Sequence, residues 1–207
     1  MAKERERTVE VTLEDGSKRA YFVSPNVQSG VKSIATAAMS ADGLTLGVIT
    51  STGVTTAIDA KAWGVPDSVV LPDGRVRIYF VDKRNKGEVT LSMTSIDATG
   101  VNFVADRGIR TKGGLVDFEV LQAVNGDWIA IASTSPGSPP QKLFLGTSKD
   151  GLKWKFKKTN LMPAKKNYLD PSGVKIGKNR FLLYYTSSPK SNPFDGFNLE
   201  QGLLTVR

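Results

Sequence analysis

Three aspartates stand at the head of short apolar runs: Asp67 in Val-Pro-Asp-Ser, Asp117 in Val-Asp-Phe-Glu and Asp170 in Leu-Asp-Pro-Ser. Aligned on the hairpins that follow them, the three fall at one repeat position, which Val9 occupies in the first repeat. Glu119 lies two residues beyond Asp117 and so on the same face of an extended strand. Carboxylates gathered at one point repel each other, which raises the pKa of at least one. A pair with split pKa values suits glycosidic bond cleavage, in which one acid protonates the leaving oxygen while the other activates water or attacks carbon. An Asp ahead of a strand also caps turns, and Asp-Pro-Ser is ordinary turn chemistry. It is the coincidence of three in register that points to a site.

Other chemistries are excluded by composition. The 207 residues contain no cysteine and no histidine. There is thus no disulfide framework, no thiolate metal site and no Ser-His-Asp or Cys-His arrangement. Acid–base work falls to carboxylates, Tyr or Lys. No metal and no organic cofactor is expected. The net charge of +8 raises a polyanion partner. Much of the excess, however, lies in runs such as Lys153 to Lys158, the kind of solvated lysine that guards sheet edges, so nucleic acid is not the expected partner. No apolar stretch reaches membrane-spanning length. The charged start, MAKERERTVE, lacks the apolar region of a signal peptide, which fits a cytoplasmic protein or one whose export signal has been removed.

The elements that must hold these acids are strands. Helical periodicity is nearly absent, and short β-rich runs alternate with Gly, Pro, Asn and Asp. Leu13-Glu-Asp-Gly-Ser-Lys-Arg-Ala-Tyr-Phe-Val23 matches Leu71-Pro-Asp-Gly-Arg-Val-Arg-Ile-Tyr-Phe-Val81, with further copies at Val120–Ile131 and Val174–Tyr185. The Asp-Gly pair predicts a two-residue turn with both central positions at positive φ. A second motif, Ser40-Ala-Asp-Gly-Leu, recurs at Ser148-Lys-Asp-Gly-Leu and more loosely from Ser95. Both recur at roughly fifty residues, a spacing typical of propeller blades. The predicted architecture is all-β: one β-propeller domain over residues 1–207, built of four-stranded antiparallel blades at about 8–60, 61–113, 114–167 and 168–207, the last lacking its outer strand unless the N-terminal Arg5 to Val11 supplies it.

Asp170-Pro-Ser, followed by an apolar strand, a Gly turn and Arg-Phe-Leu-Leu-Tyr-Tyr, resembles the five-bladed propeller glycoside hydrolases, the arabinanase, β-xylosidase and invertase-like superfamily. Their blades begin with Asp-Pro-Ser and end the second strand in Tyr-Tyr. The Ser148-Lys-Asp-Gly-Leu-Lys-Trp stretch is similar to a shortened sialidase Asp-box, a structural turn. The resemblance implies hydrolysis of a glycosidic bond in a carbohydrate by an Asp base, a second Asp that tunes pKa and a Glu acid. By position these map onto Asp67, Asp117 or Glu119, and Asp170, with the roles undivided. Trp63, Arg84 and Tyr168 are the candidate sugar contacts at the same mouth, whereas Trp128 and Trp154 read as core. Arg19, Arg77 and Arg180, in register on second strands, read as ties between blades. This chain departs from the pattern in having no acid in blade one and about one blade fewer. Two further readings stay open: a sugar-binding propeller without catalysis, and an incomplete propeller that self-associates through its open fourth blade.

Overall fold

The computed structural model describes residues 8–25, 32–55, 64–84, 87–111, 114–135, 137–192 and 194–206. Among them all regular structure is β, in four antiparallel sheets of consecutive strands, the blades of a β-propeller. Blade one comprises β1 (Thr8–Thr12), β2 (Lys18–Pro25), β3 (Lys32–Met39) and β4 (Thr50–Thr55). Blade two comprises β5 (Gly64–Val70), β6 (Val76–Arg84), β7 (Gly87–Ser95) and β8 (Phe103–Ala105). Blade three comprises β9 (Leu115–Val124), β10 (Asp127–Thr134), β11 (Leu143–Ser148) and β12 (Trp154–Phe156). Blade four has three strands, β13 (Lys166–Gly177), β14 (Arg180–Pro189) and β15 (Asn198–Thr205), and no outer strand is found among the described residues, in keeping with the repeat pattern.

The chain divides into two compact units, residues 1–110 with blades one and two and residues 111–207 with blades three and four. Each unit has its own core, set by the two-residue alternation of strand side chains. In the first, Tyr21, Ile34 and Val54 of blade one meet Val76, Ile78, Phe80 and Leu91 of blade two. In the second, Leu121, Ile129, Ile131, Leu143 and Leu145 of blade three meet Tyr168, Phe181, Leu183 and Tyr185 of blade four.

The first hairpin turns differ from expectation. Gly74 N–H donates to Leu71 O and Leu71 N–H to Arg75 O, and positive φ occurs at Gly74 (81°) but not at Asp73. Pro72 and Asp73 therefore form a type I turn and Gly74 alone takes the left-handed position, a three-residue loop. Proline favours this outcome, because its fixed φ fits the first central position of type I and not of the mirror-image turn. Leu13 to Ser17 repeats the same bonds around Gly16. The Asp-Gly turns at Ser40 and Ser148 behave as the Asp-box likeness implies. Asp42 and Asp150 accept from the N–H groups of Leu44 and Leu152, and from Ser40 and Ser148 Oγ.

One tie joins the two blades of the first unit. Tyr21 Oη donates to Gly100 O at 2.7 Å, and Gly100 sits at φ 63° in the turn before β8. A Cβ there would meet Tyr21 Oη and Val76 Cγ2. Only glycine suits both the backbone and the space. Burial pushes the Tyr21 phenol above its ordinary 10.0, with the Arg19 charge and Thr36 only partly offsetting it. A pKa raised on folding contributes stability that is whole below pH 10 and lost as pH climbs past it. Tyr21→Phe should lower the unfolding free energy by about 1 kcal/mol at neutral pH, the net worth of one such bond. In urea titrations the deficit should shrink above pH 10, as the part of the alkaline destabilisation due to Tyr21 falls on the parent alone.

Candidate functional site

The ladders between first and second strands carry an extra residue in three blades, and these bulges position the acids. In blade three Asp117 and Phe118 together face Ala132, since Val116 pairs with Ser133 and Glu119 with Ile131. In blade four Asp170 and Pro171 face Tyr185, between the Leu169–Thr186 and Ser172–Tyr184 pairs. In blade two Val65 and Pro66 face Phe80, between Gly64–Val81 and Asp67–Tyr79. Asp117 and Asp170 are thus true equivalents, whereas Asp67 is two residues further on and matches Glu119 and Ser172. The alignment of Asp67 with the other two aspartates is corrected accordingly. Counting back from the turns misleads because blade two turns through three residues and blades three and four through two. Irregularities at Leu121 and Ile176 add to the mismatch. Val9, opposite Tyr21, holds the Asp67 position in blade one.

Asp117 and Asp170 also share a backbone conformation, with φ 46° and 47°. A non-glycine residue held there costs on the order of 1–2 kcal/mol, and Asp and Asn bear it best. Asp117 is buried, and its Oδ2 accepts from Ser133 Oγ at 2.5 Å. Asp170 is exposed. Glu119 Oε1 reaches across to blade four, where it accepts from Gly173 N at 3.1 Å and Ser172 Oγ at 3.2 Å. A second polar link runs beside it, from Lys175 Nζ to Gln122 Oε1 at 2.5 Å. The second unit therefore assembles Asp117, Glu119 and Asp170 on two adjoining first strands.

In the first unit Asp67 is 4% exposed, and its Oδ1 accepts from Ser68 N at 2.8 Å. It opens a buried polar row across blade two: Asp67 pairs with Tyr79, Tyr79 with Ser92, and Ser92 Oγ donates to Asp106 Oδ2 at 2.6 Å. Thr94 Oγ1 also donates to Asp106, and Arg77 Nε lies 3.0 Å from Thr94 Oγ1 and 3.3 Å from Asp106 Oδ2. Burial pushes the Tyr79 phenol up. Arg77 pulls it down, and the charges of Asp67 and Asp106 push with burial. Tyr79 therefore stays a neutral hydroxyl beside Asp67. Sequence patterns alone do not single out Asp106 or this row. The usable signal was the hydroxyl residues Thr90, Ser92 and Thr94, at the two-residue spacing that puts them on one face of β7.

Trp63 and the side chain of Arg84 lie outside the described residues. Tyr168, read as a sugar contact, is 5% exposed, and its ring packs edge-on against Tyr185 at 5.9 Å in the core of its unit. Trp128 is buried, as expected, and Trp154 is half-buried, in an aromatic cluster with Phe118 in which the Trp154 ring lies 5.1 Å from Phe118 and 6.3 Å from Trp128. Of the three register arginines, Arg77 and Arg19 bond within their own blades and Arg180 is exposed. Among the described residues no cluster of three or more Asp or Glu could hold a metal ion, and no helix is long and apolar enough to cross a membrane.

The strain at the bulge has a direct test. Asp170→Gly should be more stable than Asp170→Ala by about 1 kcal/mol, because glycine accepts positive φ and alanine does not. Equal denaturation midpoints would show that the bulge relaxes on substitution.

No protein-family model matches the chain, and no curated protein does. Solved structures do. A thermostable family-43 glycoside hydrolase superimposes over 96% of this chain and 70% of its own, with TM-score 0.72 and 12% identity. The family-93 α-L-arabinofuranosidase of Fusarium graminearum, solved with arabinobiose, superimposes over 95% of this chain and 61% of its own, with TM-score 0.63 and 17% identity. The α-L-arabinanase of Penicillium chrysogenum, also solved with arabinobiose, covers 98% and 63%, with TM-score 0.63 and 14% identity. The chain therefore has the β-propeller fold of these glycoside hydrolases, as the sequence resemblance implied, over less than three quarters of their length.

Proposed function

We propose that this protein is a carbohydrate-active propeller that hydrolyses glycosidic bonds, with arabinose-containing chains as the first substrate class to test. The observation that carries the reading is the shared bulge of Asp117 and Asp170. Two acids at one ladder position of adjoining blades are both held at a positive φ that the fold must sustain at a cost. Such strain persists where the surroundings over-determine it, and it concentrates at active sites. The chemistry is drawn from Asp117, Glu119 and Asp170 of the second unit. One carboxyl protonates the leaving oxygen, and a carboxylate either activates water or attacks the anomeric carbon. Likeness to proteins solved with arabinobiose supports the substrate class.

A second reading, sugar binding without turnover, is favoured by Glu119. Its carboxylate is already engaged by two donors of the neighbouring blade, an arrangement suited to joining blades. The readings separate in a screen of arabinan, arabino-oligosaccharides and chromogenic arabinosides, xylosides, fructosides and sialosides. The parent should turn over an arabinoside, and Asp117→Asn and Asp170→Asn should each lose on the order of 100- to 10,000-fold in kcat. A folded parent that binds arabino-oligosaccharide by calorimetry without turnover would establish the second reading. Neither binding nor turnover of any sugar would refute both.

A further inference from the structure

By its place in blade four, β15 is a third strand. Its counterparts β3, β7 and β11 each have a fourth strand beside them and contain buried residues. Among the described residues β15 pairs with β14 alone, and none of its own residues is buried. Leu199 is 77% exposed and Leu203 57%, on the same face as Gln201, and exposed Tyr184 of β14 pairs with Gln201.

The outer edges of the other blades are blunted. β8 and β12 are three residues long, and β4 has an irregular register and Gly53 at φ 77°. Short strands and bulges of this kind keep edges from pairing with other chains. β15 has neither device. Its eight residues, Asn-Leu-Glu-Gln-Gly-Leu-Leu-Thr, pair with β14 without a break and include no Lys, Arg or Pro. Among the described residues no strand pairs with its outer backbone N–H and C=O groups.

We propose that β15 docks β15 of a second copy of this chain, antiparallel, across a two-fold axis centred on Gln201. The choice of a second copy rests on self-complementarity. In that register Leu199 faces the partner's Leu203 twice over, and the Gln201 amides face each other, able to donate and accept. Glu200, the single charge on the strand, faces the partner's Gly202 and not its own copy. On its own blade Glu200 is already held by Lys166 Nζ and Ser187 Oγ, each at 2.6 Å. Those two bonds depress its pKa, Lys166 foremost. Two three-stranded blades become one six-stranded sheet, and apolar cross-strand pairs supply the side-chain contribution.

Sedimentation equilibrium of the whole chain, loaded from micromolar to near-millimolar, should show a monomer–dimer equilibrium. Leu203→Lys, at a solvent-facing position, should keep the parent's thermal melt and weaken dimerisation by about tenfold or more, since a charged side chain replaces one leucine in each of the two Leu199–Leu203 pairs. The chain has no cysteine, so single-cysteine variants report register directly. Mild oxidation with copper phenanthroline should link Gln201→Cys into a covalent dimer much faster than Leu199→Cys. A parent that stays monomeric throughout would overturn the proposal. So would a dimer that Leu203→Lys leaves intact and that Gln201→Cys does not cross-link, and these readouts do not depend on any enzymatic activity.

Discussion

The extra residue in the first strand of blades two, three and four is the constraint on which the candidate site depends. A strand ladder alternates side chains between two faces, and one inserted residue reverses that alternation beyond the insertion. Upstream of the bulge, Leu169 pairs with Thr186. Downstream, Ser172 pairs with Tyr184, leaving Asp170 and Pro171 to share Tyr185. Proline at the second bulge position in blades two and four fits this role, because the residue left outside the ladder has no N–H to satisfy. Aspartate at the first position fits for another reason: among residues with a Cβ, Asp and Asn tolerate positive φ best. The bulge thus accounts for Asp117 and Asp170 at its first position and Pro66 and Pro171 at its second, and for why Val-Pro-Asp-Ser and Asp-Pro-Ser are related by an offset.

Beyond the bulge the two units diverge. In the first, a polar row runs from buried Asp67, Tyr79 and Ser92 on the first three strands of blade two to half-buried Asp106 just past β8. Buried polar groups are costly unless each finds a partner, and the hydroxyls of Ser92 and Thr94 and the guanidinium of Arg77 converge on Asp106 accordingly. In the second unit, the face of blade three that carries Phe118 and Trp128 is aromatic, and the polar groups gather instead where Glu119 and Gln122 meet blade four. Gly173 allows that approach. A Cβ there would meet the Leu121 and Leu183 side chains and the Leu182 carbonyl.

The turns complete the frame with local chemistry. Asp42 accepts from Ser40 Oγ and Leu44 N–H, which hold its carboxyl below the ordinary carboxylate range. At Asp150 burial opposes the same effect, and the Lys153 and Leu152 N–H groups with Ser148 outweigh it. These are the structural turns that the Asp-box likeness implied, and they belong to the frame of each blade and not to the site.

The amino-acid sequence by itself determined the class of element, the number of repeats, the turn positions and, among the described residues, the three strands of the last blade. All of these arise from short-range patterns: two-residue alternation, Asp-Gly at turns and a repeated Tyr-Phe-Val. It also marked Asp67, Asp117, Glu119 and Asp170 as the acids of interest. Tertiary structure alone decided which of them are equivalent, because a bulge is defined by the partner strand and leaves no fixed mark in the residues that form it. It decided too that Tyr168 belongs to a core, that Glu119 is engaged by the next blade and that Asp106 completes the row begun by Asp67. Each of these rests on residues far apart in the chain, brought together by strand pairing and by the packing of one sheet face on another.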